Sequence, residues 1–366
     1  MAGENCAGGA GCSSRAKGGL SIALAVVVVF GVLSSAGCTE KETLIVFHAG
    51  SLSGAFASLA ESFEKNHTGV EVHCEASGSV DAIRKVTDLG KAADIVASAD
   101  YRLINTMMIE PEPHFAGWNV LFASNSMVLL YTQQSAYSDE INSTNWYEIL
   151  ARPDVVVGFS DPNADPCGYR ALMVTQLAEK YYGDPWIFEN VIGNNTAIWT
   201  EGNESENNIT IHVPPSTDLN PAEGKILIKP KAVDLMSSLE LGEVDYVFEY
   251  LNVAVSMGSS GIKHLAFPED IDLSSMEKKE AYSGVTVSIS STGKNITAYP
   301  IVYGFTIPTG APHHELAVEF AGFLLGDTGR EIIKNAGFRV TNPPTGINVE
   351  NMPPEIASGV EALSSE

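Results

Sequence analysis

The chain has 366 residues, more than one hydrophobic core ordinarily serves, so a single small domain is excluded and two core-forming units are expected. At 45% hydrophobic and 18% charged it is not a disordered chain. Lysine and arginine number 21 against 45 aspartates and glutamates, a formal charge of −24, and such a field repels phosphate backbones and anionic headgroups; neither nucleic-acid binding nor electrostatic membrane binding is expected.

Arg15 and Lys17 precede a charge-free apolar run from Leu20 to Leu33. The run is short for a bilayer span and right for the core of a secretory signal. It ends in Leu33-Ser34-Ser35-Ala36-Gly37-Cys38, which resembles a lipoprotein processing site, although Ser35 stands where a branched aliphatic residue is usual. Residues 1–37 are therefore read as a signal peptide and Cys38 as the lipidation site, with an ordinary signal peptide or an uncleaved anchor as the alternatives. Each of these exports the chain, to the extracellular face of the cell membrane, lipid-anchored or secreted. Loss of 1–37 leaves 19 positive and 44 negative residues, a charge of −25. Of five cysteines only Cys74 and Cys167 then remain free of the signal and the lipid, which excludes a disulfide framework and leaves their pairing open. Six Asn-x-Ser/Thr triplets, at Asn66, Asn142, Asn194, Asn203, Asn208 and Asn295, are compatible with an exported protein.

The remainder alternates short β-branched runs with helical periodicity, the rhythm of an α/β fold. Leu44–Phe47 predicts a buried strand, and Phe56, Leu59, Ala60 and Phe63 the apolar face of a helix. Val70–Cys74 and Ala93–Ala97 predict two further strands, with a helix over Val80–Leu89 between them. Val120–Ala123 and Met127–Tyr131 are two strands with no helix between. A second set follows: a helix over Trp146–Leu150, a strand over Val155–Phe159, and a helix over Arg170–Tyr182. Asn194–Glu223 is polar and reads as a surface insertion. Lys231–Leu241 predicts a helix stopped by Gly242, Asp245–Tyr250 a strand, Tyr299–Ile307 an extended segment, and Glu315–Leu325 and Gly329–Ala336 helices. Beyond Asn342 the composition predicts a loose tail. No repeat of 20–50 residues is visible.

Gly50-Ser51 and Gly78-Ser79 each lie between the carboxyl end of a strand and a following helix. Ligands of open α/β sheets bind at such ends, where the helix offers unpaired N–H groups, glycine permits close approach and serine adds a hydroxyl. These turns can hold a compact oxyanion without a basic side chain; the structural alternative is helix capping by serine. Ser160–Arg170, with two Asp-Pro pairs, occupies the same position in a later unit. Glu249 ends an apolar and aromatic strand, where a carboxylate is costly unless partnered.

In order along the chain, His48-Ala49-Gly50-Ser51-Leu52, Ala76-Ser77-Gly78-Ser79, Asp94–Tyr101, Asp165-Pro166-Cys167-Gly168-Tyr169-Arg170, Phe248-Glu249-Tyr250 and Pro300–Gly304 resemble the archaeal tungstate/molybdate-binding proteins of ABC transporters. The resemblance runs from about Thr43 to Val340. It implies an α/β, two-lobed type II periplasmic-binding-protein fold with a ligand cleft between the lobes: residues 43–122 and 300–344 in lobe one, 126–299 in lobe two, and 345–366 a flexible tail. It implies oxyanion donors at Gly50, Ser51, Ser79 and Cys167. It also implies two carboxylates, Asp165 and Glu249, bound to the metal of the oxyanion, with Asp161 the alternative to Asp165. The implied function is capture of tungstate or molybdate for a membrane permease and its ATPase, by a monomer with no cofactor of its own.

An enzyme is not expected. Leu52 stands where a nucleophile elbow requires serine, and His313-His314-Glu315 lacks the spacing of a zinc protease motif. The competing reading is a binding protein for sulfate, phosphate, an amino acid or ferric ion. An amino acid would call on Arg84 or Arg170, and ferric ion on Tyr246 and Tyr250, four apart on one strand face.

Overall fold

The computed structural model describes residues 41–203, 208–258 and 261–363, so the signal segment and Cys38 lie outside the described residues. Three sheets organise them. The first has seven strands in the spatial order Glu361–Ala362, Arg339–Ile347, Asn119–Ser124, Val302–Thr306, Ile95–Ser98, Glu42–Ala49, Val70–Ser77. Glu42–Ala49 runs parallel to both its neighbours and is apolar from Leu44 to Phe47, as a strand covered on both faces must be. The helix Ser53–Asn66 covers one face with Ala55, Phe56, Leu59, Ala60 and Phe63.

The second sheet has five strands, in the order Lys263–Ala266, Met127–Tyr131, Tyr246–Tyr250, Val157–Ser160, Ile226–Lys229. The helix Pro166–Tyr182 is buried on nearly every side from Cys167 to Glu179, because it packs against this sheet and also against a third, four-stranded one. That third sheet runs Lys294–Thr297, Val285–Ile289, Asn208–Val213, Trp199–Asn203. The expected surface insertion at 194–223 therefore contributes two strands, and its Ile198, Ile211 and Val213 are buried. Its polar residues fall on the outer face, which is why composition alone conceals the sheet.

The chain leaves the seven-stranded sheet for the second sheet and later returns to it from the third. Asn119–Ser124 leads into Met127–Tyr131 through Asn125 and Ser126 alone, and the chain returns through Ala298–Ile301 into Val302–Thr306. The crossings lie side by side, with the Asn125 N–H donating to the Ile301 carbonyl at 2.9 Å.

The tail departs from expectation. Residues 345–363 are packed: Arg339–Ile347 pairs with Asn119–Ser124 and then with Glu361–Ala362, and Ile356 and Val360 are buried. Pro343 and Pro344, the residues that suggest a loose segment, sit where the strand bulges between Val340 and Thr345, so the ladder does not call on the N–H groups that proline lacks. Cys74 and Cys167 are both free thiols.

Candidate functional site

A cleft of about 1100 Å³ lies between residues of the first and second sheets. On the first-sheet side, Glu42–Ala49 and Val70–Ser77 are in register with Ala49 opposite Ser77, so the two Gly-Ser turns that follow them are neighbours. Gly50, Ser51, Gly78 and Ser79 all line the cleft. Neither Ser51 nor Ser79 caps its own helix. Gly78 takes the cap position before Ser79–Thr87, and the Ser79 hydroxyl accepts from the Ala99 N–H at 3.0 Å. The Ser51 hydroxyl meets the Tyr303 hydroxyl at 3.0 Å, and the Ser51 carbonyl accepts from the Asn252 amide at 2.8 Å.

On the opposite side, Asp165 caps the helix Pro166–Tyr182. One carboxylate oxygen accepts from the Cys167 N–H at 3.1 Å and the other from the Ala232 N–H at 2.8 Å, which ties the helix start to the segment after Ile226–Lys229. Gly168 permits this arrangement: a Cβ there would lie 2.0 Å from the Ser160 carbonyl oxygen. Asp161 is spent on its own turn, accepting from the N–H and amide of Asn163 at 2.8 and 3.0 Å, and is not among the residues lining the cleft. Both donors of Cys167 are already engaged, its N–H by Asp165 and its thiol by the Phe248 carbonyl at 3.5 Å. The expectation that Cys167 offers an oxyanion donor thus meets a residue whose N–H serves to hold a carboxylate.

Glu249 lines the cleft at 1% exposure. Its Oε1 accepts from the Tyr250 N–H at 2.8 Å and faces the Cys167 sulfur at 3.8 Å, while its Oε2 is buried with no hydrogen-bond partner among the described residues. Burial, with a further push from the charge of Asp165, raises its pKa to about 8. Burial and the two neighbouring carboxylates push the Cys167 thiol up as well.

Sequence reasoning gives three contributors no part in an oxyanion site, although Arg170 is a candidate there for an amino-acid ligand and Tyr303 falls in the Pro300–Gly304 segment. Arg170 lines the cleft at 8% exposure, donating to the Tyr250 hydroxyl at 2.7 Å with no carboxylate in ion-pair range among the described residues. With Lys231 also on the wall, the cleft is not free of basic side chains as the Gly-Ser turns suggested. Asn252 and Tyr303 are the others, and both meet Ser51 only across the fold. Of the residues considered for other ligands, Arg84 pairs with Asp88 on the surface, and the Tyr246 hydroxyl is taken by the Ala136 carbonyl.

Residues 44–339 match the bacterial extracellular solute-binding protein family. The chain is 43% identical to the molybdate/tungstate-binding protein WtpA of Pyrococcus abyssi over 356 residues, covering 94% of this chain and 98% of the relative. It is 44% identical to the protein of the same name from Thermococcus kodakarensis over 361 residues, covering 95% and 97%. Among solved structures, the substrate-binding domain of an ABC transporter from Clostridium difficile superposes with a TM-score of 0.53 at 15% identity, covering 82% of this chain and all of that one. At that identity the likeness speaks for the two-lobed fold alone.

Proposed function

The chain belongs to the bacterial extracellular solute-binding protein family, and from that premise we propose that it captures molybdate or tungstate, the ligands in the two relatives' names, on behalf of an ABC importer. It works with a permease and its ATPase, outside the cytoplasmic membrane. Anchoring through a lipid on Cys38 and action as a monomer complete the reading, as does the absence of catalysis.

The Gly50, Ser51 and Ser79 side of the cleft donates hydrogen bonds to the oxyanion's oxygens; Asp165 and Glu249 approach its metal. The observation that supports this assignment is the Glu249 Oε2 atom, a carboxylate oxygen buried in the cleft wall without a partner among the described residues. A buried orphan acceptor costs free energy, and such a group persists where a ligand completes it. Tungsten(VI) and molybdenum(VI) are large, hard centres that take oxygen ligands beyond four, whereas the sulfur of sulfate does not. With Glu249 ionised, two carboxylates beside a dianion repel sulfate, and only a ligand that bonds to them recovers the cost of that ionisation. Arg170 and Lys231 offset part of the accumulated negative charge.

A ligand panel read by thermal shift tests this. Micromolar tungstate or molybdate raises the melting temperature, and millimolar sulfate leaves it unchanged. A response to sulfate, or none to either metal oxyanion, overturns the assignment.

A further inference from the structure

Asn125 is fully buried in the first crossing between the lobes, and the orientation of its amide is determined by its neighbours. Its Oδ1 accepts at 2.9 Å from the Ser126 N–H, a group that only donates. Its Nδ2 therefore faces the Asn252 Oδ1 at 2.7 Å and the Tyr303 hydroxyl at 3.3 Å. Asn252, so oriented, turns its own Nδ2 to the Ser51 carbonyl at 2.8 Å, a group that only accepts. An obligatory donor at one end and an obligatory acceptor at the other leave neither amide free to flip.

The second branch runs through Tyr303, which is 1% exposed. Its hydroxyl accepts from Asn125, and among the described residues the acceptor within reach of the phenolic proton is the Ser51 hydroxyl at 3.0 Å. Tyr303 also lines the cleft, but at 1% exposure, so were Ser51 to donate to it instead, the buried phenolic proton would have no acceptor among the described residues, which is the costlier arrangement. The Ser51 hydroxyl thus accepts from Tyr303, and its own proton is left to donate into the cleft that it lines.

We propose that Asn125, which does not line the cleft, sets the hydrogen-bond polarity of the oxyanion site, making Ser51 an obligatory donor through Tyr303 and fixing its main chain through Asn252. The position facing Ser51 then takes an unprotonated oxygen. Asn125 is a positioning residue, and the inference rests on the reading of the cleft as an oxyanion site.

Asn125→Asp tests it, because the new side chain keeps its size and its acceptor for Ser126 but, when ionised, cannot donate. Tyr303 then donates to the carboxylate, and Ser51 turns its proton to Tyr303 and away from the cleft. Calorimetry with sodium tungstate at mildly alkaline pH is expected to show affinity about tenfold below the native protein. The deficit narrows on acidification, as the carboxyl regains a proton to donate, whereas Asn125→Ala keeps a constant deficit. Equal affinity of Asn125→Asp and the native protein, or parallel pH profiles for the two variants, overturns the proposal. Tyr303→Phe, which removes only the relay, is expected to lose about tenfold with its circular dichroism unchanged; unaltered affinity counts against the proposal. If the native protein does not bind tungstate, the functional reading fails, and the ligand-free protein decides the polarity. The stability of Asn125→Asp relative to the native chain should then fall as pH rises, and a pH-independent difference overturns the inference.

Discussion

Glu249 has an ordinary carboxyl pKa of 4.5 when the chain is unfolded and one of about 8 when it is folded and empty. Between those values the unfolded state has lost its proton and the folded state has kept it. Stability therefore falls as pH rises across that window, by about 1.4 kcal/mol per unit at most, and is level above it. Glu249→Gln removes the cost: at pH 8 its ligand-free melting temperature should exceed that of the native protein, with the advantage fading towards pH 4.5. The same variant should lose the tungstate-induced shift, and retention of that shift would show that the metal is held elsewhere. Because the ionised carboxylate is the form that bonds to a metal, tungstate affinity in the native protein should climb as pH approaches 8, with proton release measurable by calorimetry in buffers of different ionisation enthalpy. Glu249 was legible in the sequence because a carboxylate within an apolar strand is conspicuous. Asn252 was not, since an asparagine after a strand is a common feature whose partners are set by the fold, and Arg170 was legible only as a candidate for an amino-acid ligand.

At the scale of elements, the start of Pro166–Tyr182 carries the most consequence, because one turn of helix positions Asp165, Cys167 and Arg170 together. Gly168 is its weak point. Gly168→Ala places a Cβ 2.0 Å from the Ser160 oxygen and 2.9 Å from the Pro162 nitrogen, both backbone atoms that cannot swing aside. The substitution should destabilise the protein by about 3 kcal/mol in urea unfolding and weaken tungstate binding together; a loss of neither would mean that the loop after Ser160 yields freely. The parallel strands, the Gly-Ser turns and the helix over Trp146–Leu150 were legible from periodicity and turn residues. The strands at Asn208–Val213 and Val285–Ile289 were not, because, besides a local antiparallel neighbour, each pairs with the other more than seventy residues away, and only one face of the pair is apolar. The tail was misread through Pro343 and Pro344, which describe the bulge and not the strand around it.

Over the whole molecule, the charge of −24 opposes the arrival of a dianion. The association rate with tungstate should accordingly rise with ionic strength, the reverse of what a basic funnel gives, and a falling rate in stopped-flow measurements would point to steering by Arg170 and Lys231. Gly337, at φ +87°, meets the segment after Glu249 closely: a Cβ there would lie 2.7 Å from the Asn252 Cα and 2.9 Å from the Val255 Cβ. Gly337→Ala should hold the lobes apart, lengthening the distance between spin labels on the two sheets and speeding tungstate dissociation; unchanged values would mean that the contact is not part of closure. The double crossing between the lobes bears also on how the protein is made. The five-stranded sheet is complete once Ala266 has left the ribosome, whereas Val302–Thr306, which lies between Ile95–Ser98 and Asn119–Ser124, comes later. Until that strand is synthesised the seven-stranded sheet exists as two unjoined pieces, and the half of the cleft translated first is the half that can finish folding last.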